Sequence, residues 1–213
     1  MHFISPELEL YAERHSEDEP ALLAALHRET YQKIMQPRML SGHFQGRVLS
    51  LLSKLARPRH ILEIGTYTGY ATLCLAEGLQ ENGSIDTIDI NEELFDIQKK
   101  YFGLSRWKNQ ISQHLGDALE IIPRLEKKYD LAFVDADKNN YLNYWEMVLP
   151  LMNRGGIILS DNVLWSGKVL ETPDPKDLSA SVLLEYNKKL KEDSRVETVL
   201  LPIRDGLTVS QVL

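Results

Sequence analysis

From residue 60 onward this chain alternates between two periods, and that alternation limits its fold more than any other feature. Short apolar runs at 60–64, 84–89, 111–115, 129–135 and 156–160 each lead into a glycine or an acid. Between them, residues 71–79, 92–102, 118–125 and 140–152 carry apolar side chains at helical spacing. Strands of this kind, joined by crossover helices, form a parallel sheet covered on both faces. After the proline-rich Thr172-Pro-Asp-Pro175 a further helix runs to about Glu192. Two last strands, 196–201 and 207–212, are separated only by 202–206. That is hairpin length, so one of them runs antiparallel to the other.

Ahead of the first strand, residues 1–57 read as a helical extension. Ser5-Pro6-Glu7 supplies an N-cap, a first-turn proline and an early acid. A second helix is expected from about 19 to 35, with Leu22, Leu23, Leu26 and Tyr31 on its apolar face, and Pro37 breaks it. A third covers roughly 45–56, with Val48, Leu49, Leu52 and Leu55 inward. No repeat, low-complexity tract or linker interrupts the pattern. Residues 1–213 are therefore expected to form one α/β domain, a length sufficient for a full core.

Composition excludes several partners. The net charge of −7, with a pI near 5.4, disfavours nucleic acid and anionic membranes as general partners. Cys74 is the only cysteine, so no internal disulfide forms. No run approaches the roughly 18 apolar residues of a membrane span. The polar, acidic first residues lack a signal peptide's basic start and apolar core. The expected location is the cytoplasm.

Two clusters carry chemistry. The first, Glu63-Ile-Gly65-Thr-Tyr-Thr-Gly69-Tyr70, joins the first strand to its helix, where open α/β sheets bind ligands. A dinucleotide site would place a glycine where Tyr67 stands, and Glu63 opposes a phosphate. Glu63 suits a cationic or hydroxyl-rich ligand instead. S-adenosylmethionine has no phosphate, and carries a sulfonium and an ammonium. Asp89, ending the second strand, is placed to take its ribose hydroxyls. Taken alone, the loop could also be an ordinary tight turn beside a surface acid.

The second cluster pairs Phe133-Val-Asp135-Ala-Asp137-Lys138 with Ser160-Asp161-Asn162. Both end apolar strands, so both point into one crevice. Singly, each would read as a strand-end turn. Together, Asp135, Asp161 and Asn162 form an oxygen-only donor set suited to a hard divalent cation, Mg²⁺ first, then Mn²⁺ or Ca²⁺. Such a site leaves about three coordination positions open, two of which adjacent phenolic oxygens of a small catechol-like acceptor could fill. A divalent cation acidifies a phenol, whose own pKa is about 10. Lys138, three residues past Asp135, can take the proton before the phenolate attacks the sulfonium methyl.

The chain also resembles the cation-dependent O-methyltransferases that include catechol and caffeoyl-coenzyme A O-methyltransferases. The stretches LEIGTYTGYATL, IDTIDI, GDALEIIP, YDLAFVDADKNNYLNYWE, GGIILSDNVLWSGKV and PIRDGLTVSQV carry the resemblance, in order and over nearly the whole chain. It implies a Rossmann-like, doubly wound, seven-stranded sheet with an antiparallel last strand, usually in a homodimer. It implies metal ligands at Asp135, Asp161 and Asn162, and a catalytic lysine at Lys138. Cofactor contacts are implied at Ser41, Glu63, Gly65, Asp89, Ala118, Asp135 and Asp137. Two places depart. Ala71 stands where many members carry a cofactor-binding serine, leaving Thr72 as the neighbouring hydroxyl. Residues 39–46 replace an acidic segment of the plant members beside the substrate site. His43 in that segment and Trp165 after the Asp-Asn pair are the expected substrate-pocket residues. The other histidines show no metal-binding spacing, and Cys74 reads as core.

Three other functions compete. Tyr67 and Glu63 disfavour a nucleotide-dependent dehydrogenase. Net charge, and SDNVLW where an N-P-P-Y-like segment would stand, disfavour a nucleic-acid or protein N-methyltransferase. Lys138 beside a full ligand set disfavours a non-catalytic cofactor-binding module.

Overall fold

The computed structural model describes residues 5–172 and 176–213. His2 and the proline-rich residues 173–175 lie outside the described residues. Helices α1 (Pro6–Arg14), α2 (Ala21–Lys33) and α3 (Gly42–Ala56) precede the sheet. Strands β1 (His60–Ile64), β2 (Ser84–Asp89), β3 (Ile111–Leu115), β4 (Tyr129–Val134) and β5 (Met152–Asp161) then alternate with α4 (Tyr70–Ala76), α5 (Phe95–Leu104), α6 (Ala118–Ile121) and α7 (Tyr141–Val148). Helix α8 (Leu178–Glu192) and the pair β6 (Val196–Leu201) and β7 (Leu207–Val212) complete the described chain.

The seven strands lie in the order β3-β2-β1-β4-β5-β7-β6. Strands β1 to β5 pair in parallel, and β7 runs antiparallel to both neighbours, β5 and β6. The expected fold class is thus the observed one. Alternate strand residues divide between two cores, as a period of two requires. Ile61, Leu131 and Phe133 pack with α2 to α5, while Leu62, Ile64, Ala132 and Val134 pack with α6 to α8. The sheet's order reverses between β1 and β4, and such a switch point opens a crevice at the strand ends. Register pairs Ile64 with both Ile88 and Val134, and Val134 with Ser160. The ends of β2, β1, β4 and β5 therefore form one line along that crevice.

The helical expectations needed three corrections. Pro123 and Pro150 cut the helices expected over 118–125 and 140–152, leaving 3₁₀ turns at Ile122–Arg124 and Leu149–Leu151. Tyr31 points outward from α2, and Thr30 is buried in its place, donating to Thr68 Oγ1 at 3.2 Å. Leu55 is 72% exposed on α3. The buried face of α3 is largely polar, because Arg47 and Ser50 reach Glu77 at the end of α4, each with a 2.7 Å contact. Gly78 permits this approach, since a Cβ there would lie 2.2 Å from the Ser53 backbone.

Candidate active site

Glu63 is fully buried near the end of β1. Its Oε2 accepts from Thr87 Oγ1 at 2.5 Å and from Thr72 Oγ1. Its Oε1 is buried without a partner among the described residues. Burial, with the charges of Asp135 and Asp89 behind it, pushes this carboxyl up to about 8. The site thus holds a protonatable acid that an incoming cation would favour in its charged form.

Gly65 has φ +98°, and a Cβ on it would lie 2.0 Å from the carbonyl oxygen of Asp135. Its lack of a side chain lets β1 and β4 close together at the crevice. The next turn is held by Asp89, whose Oδ2 accepts from the Tyr67 backbone N–H at 2.6 Å and whose Oδ1 accepts from Asn91 N–H at 2.8 Å. Burial raises the Asp89 carboxyl. Ala118 is buried as the first residue of α6, behind the N-cap Asp117.

The adjacent strand ends carry the second cluster. Lys138 is 8% exposed, and its Nζ donates to Asp135 Oδ1 at 3.0 Å and to the Tyr141 hydroxyl at 2.8 Å. Tyr141 Oη donates in turn to the carbonyls of Val134 (3.1 Å) and Asp161 (2.8 Å). Burial holds that phenol protonated, so it remains a donor. Asp161 is buried, and burial followed by the charge of Asp135 raises its carboxyl. Asn162 adopts φ +57°, a left-handed conformation that asparagine tolerates. Among the described residues its side-chain amide makes no hydrogen bond. Asp137 is engaged locally, accepting from Tyr144 Oη at 2.5 Å and Asn140 Nδ2 at 2.7 Å.

Ser41 is buried at the start of α3 and its carbonyl accepts from Arg204. Trp165, at φ +48°, packs over the α8 side of the sheet and donates through Nε1 to Asp177 at 3.4 Å. His43 is placed differently from the crevice residues. Its ring nitrogens meet Glu13 Oε1 at 3.1 Å and the Glu17 carbonyl at 2.7 Å, so it ties down the segment after α1. Thr72, expected as a cofactor contact, spends its hydroxyl on Glu63. Cys74 is core, its thiol pushed up to about 12 by burial.

Residues 13–213 match the model of an O-methyltransferase family. The chain belongs to that family. A caffeoyl-CoA O-methyltransferase of Medicago sativa is 37% identical over 182 residues, covering 80% of this chain and 74% of the relative. A structure of an SAH-bound Podospora anserina methyltransferase superposes with a TM-score of 0.88 at 26% identity, with both chains fully covered. The O-methyltransferase TomG of Streptomyces achromogenes, solved in complex with SAM, also gives 0.88 at 26% identity, over 97% of this chain and 96% of that one. The expected enzyme class and family are thus met. No helix among the described residues is long and apolar enough to cross a membrane.

In this O-methyltransferase several site residues escaped the sequence reading. Thr87 was visible only as an inward strand position. Tyr141 follows Lys138 by one helical turn, a signal that could have been used. Gln45 and Arg204 lie in stretches already singled out, but their link to Asp161 left no signal, because the partners are distant in sequence.

Proposed function

We propose that this O-methyltransferase transfers the methyl group of S-adenosylmethionine to one hydroxyl of a small catechol-like substrate, with a divalent cation held by Asp135, Asp161 and Asn162. The observation that carries the reading is the convergence of Lys138 and Asp135 with Asp161 and Asn162 at adjacent strand ends, beside Glu63 and Asp89. The SAM complex of TomG supports the methyl donor. The caffeoyl group named for the Medicago relative bears two vicinal hydroxyls, which supports the acceptor class. A homodimer, as the resemblance implies, belongs to the same reading.

The residues fit both groups. The described residues include no metal-holding cluster of three His, Cys, Asp or Glu. The donors here are two acids and an amide, a set suited to Mg²⁺ rather than to a softer ion. The Asp161 carboxyl, raised first by burial and then by the charge of Asp135, with the Asn162 amide unpaired beside it, is an arrangement that a cation would relieve. Glu63 Oε1, buried and unpaired, likewise fits a cationic cofactor.

Bound there, a divalent cation would supply charge that favours the ionised phenol. Lys138 Nζ takes the phenolic proton, which requires the neutral amine. Tyr141 fixes that nitrogen at the crevice. Bound beside it, S-adenosylmethionine would supply an electrophilic methyl on sulfonium, the carbon–sulfur electron pair returning to sulfur as the neutral thioether. Glu63 and Asp89 would hold the donor beside the acceptor, and positioning the two reactants and holding charge there lower the barrier.

The decisive assay is methyl transfer from S-adenosylmethionine to caffeate, in excess chelator and after Mg²⁺ or Mn²⁺ is restored. Turnover should vanish and return. Full turnover in chelator after exhaustive metal removal would overturn the cation's part. A thermal shift with NAD and none with S-adenosylhomocysteine would overturn the donor.

A further inference from the structure

Asp161 is buried, and both of its carboxylate oxygens are held. Oδ1 accepts from the backbone N–H of Asn162 at 2.8 Å, and Oδ2 accepts from Gln45 Nε2 at 2.6 Å. Gln45 lies on α3 and is 1% exposed. A side-chain amide can present either its oxygen or its nitrogen, and its neighbours decide which. Here the decision belongs to Arg204. A guanidinium has only donors, and Arg204 Nη1 lies 2.8 Å from Gln45 Oε1. The amide oxygen must face the arginine, so the NH₂ faces Asp161.

Arg204 is itself costly to place. It sits in the turn between β6 and β7 with φ +48°, a conformation that favours glycine. Such strain persists where the surroundings over-determine it, and it clusters at functional positions. The surroundings are the carbonyls of Leu40 (3.1 Å) and Ser41 together with Gln45. The circuit closes through the sheet, since β7 begins at Leu207, the register partner of Asp161.

We infer that Arg204 and Gln45 form a positioning relay that sets the orientation of the Asp161 carboxylate for a divalent cation. The relay rests on the reading of Asp161 as a metal ligand. With one donor on each oxygen, the carboxylate cannot rotate, and each oxygen keeps a lone pair for the ion. Partners behind a metal ligand are typically worth tenfold to a hundredfold in affinity.

The test uses the full chain and Mn²⁺ alone, with free Mn²⁺ followed by electron paramagnetic resonance. Gln45→Met keeps the volume and removes the donor. Arg204→Gly removes the clamp and relieves the backbone, so folding is protected if Gln45→Met fails to fold. The Kd for Mn²⁺ should rise roughly tenfold or more in Gln45→Met, and several-fold in Arg204→Gly. The affinity of Gln45→Met for S-adenosylhomocysteine should stay at the parental value, which a general loosening of the fold would not allow. Parental Mn²⁺ affinity in either folded variant overturns the relay while leaving the metal site standing. A parent that binds no Mn²⁺ overturns the metal site and the relay with it.

Discussion

Gly65→Ala should be among the most damaging single methyl additions at the crevice, and the structure gives its size. The new Cβ would lie 2.0 Å from the Asp135 carbonyl oxygen, 2.7 Å from its carbon and 3.2 Å from Ala136 N. Non-bonded carbon contacts sit near 3.5 Å, so the backbone must retreat by an ångström or more. The obstacle is backbone on both sides, and no side-chain rotation relieves it. Retreat would also break the 2.8 Å bond from Asp135 N–H to the Ile64 carbonyl, worth about 1 kcal/mol. The φ of +98° adds about 1–3 kcal/mol of strain for alanine. Together these give about 2–4 kcal/mol, toward the upper end for point substitutions. For a chain of this size that is a fall in Tm of roughly 10 °C. Differential scanning calorimetry in chelator and without cofactor reads it free of ligand linkage. Gly155→Ala is the control: φ there is +79°, but a Cβ would meet nothing within 4 Å. It should lose only the backbone strain, about 1–2 kcal/mol. If Gly65→Ala loses no more than Gly155→Ala, the close approach of β1 and β4 does not constrain the site.

Lys138→Ala should lower kcat by about 10² or more while S-adenosylhomocysteine affinity holds; a neutral-pH kcat near the parent's would remove the lysine from the chemistry. Glu63 is raised from 4.5 to about 8 in the folded chain, so the native state binds the extra proton between those values. The parent without ligand should therefore lose stability relative to Glu63→Gln as pH rises from 5 to 8, by on the order of a few kcal/mol; parallel thermal curves for the two would refute the shift. Trp165→Ala should change preference among caffeate, catechol and flavonoid acceptors more than cofactor affinity, and an unchanged acceptor profile would place the pocket elsewhere. His43→Ala should act through α1, whose neighbouring segment it anchors; limited proteolysis near Glu17 should quicken, and a parental digestion pattern would count against that anchoring.

What could be read in advance follows from the range of the forces involved. Strands β1, β2, β3, β6 and β7 end where their apolar runs end, because burial in a sheet is decided residue by residue along the strand. Asp135, Asp161, Glu63 and Asp89 were legible for the same reason: each stands at or within one residue of the end of such a run, and a parallel sheet brings those ends together. Helix faces were less legible. Leu55 matched the apolar period of α3 but points outward, because Arg47, Ser50 and Lys54 turn the helix toward the half-buried Glu77. An ion pair between residues 30 positions apart leaves no trace in periodicity.

The crevice shows the same limit at closer range. His43 lies in the segment expected to border the substrate, yet its ring faces Glu13 and Glu17. Gln45, two residues on, was passed over and touches Asp161. Two positions on a helix differ by about 200° around its axis, so one of the pair had to face away from the strand ends. Which one depends on how α3 docks, and that is decided by Gly46 against Tyr70 and Cys74, and by Ser53 against Gly78. A Cβ on Gly46 would lie 2.7 Å from the Tyr70 ring and 2.9 Å from Cys74 Sγ. The small residues that set the rotation of α3 thus determine which side chain reaches the carboxylate, although none of them contributes a polar atom to it.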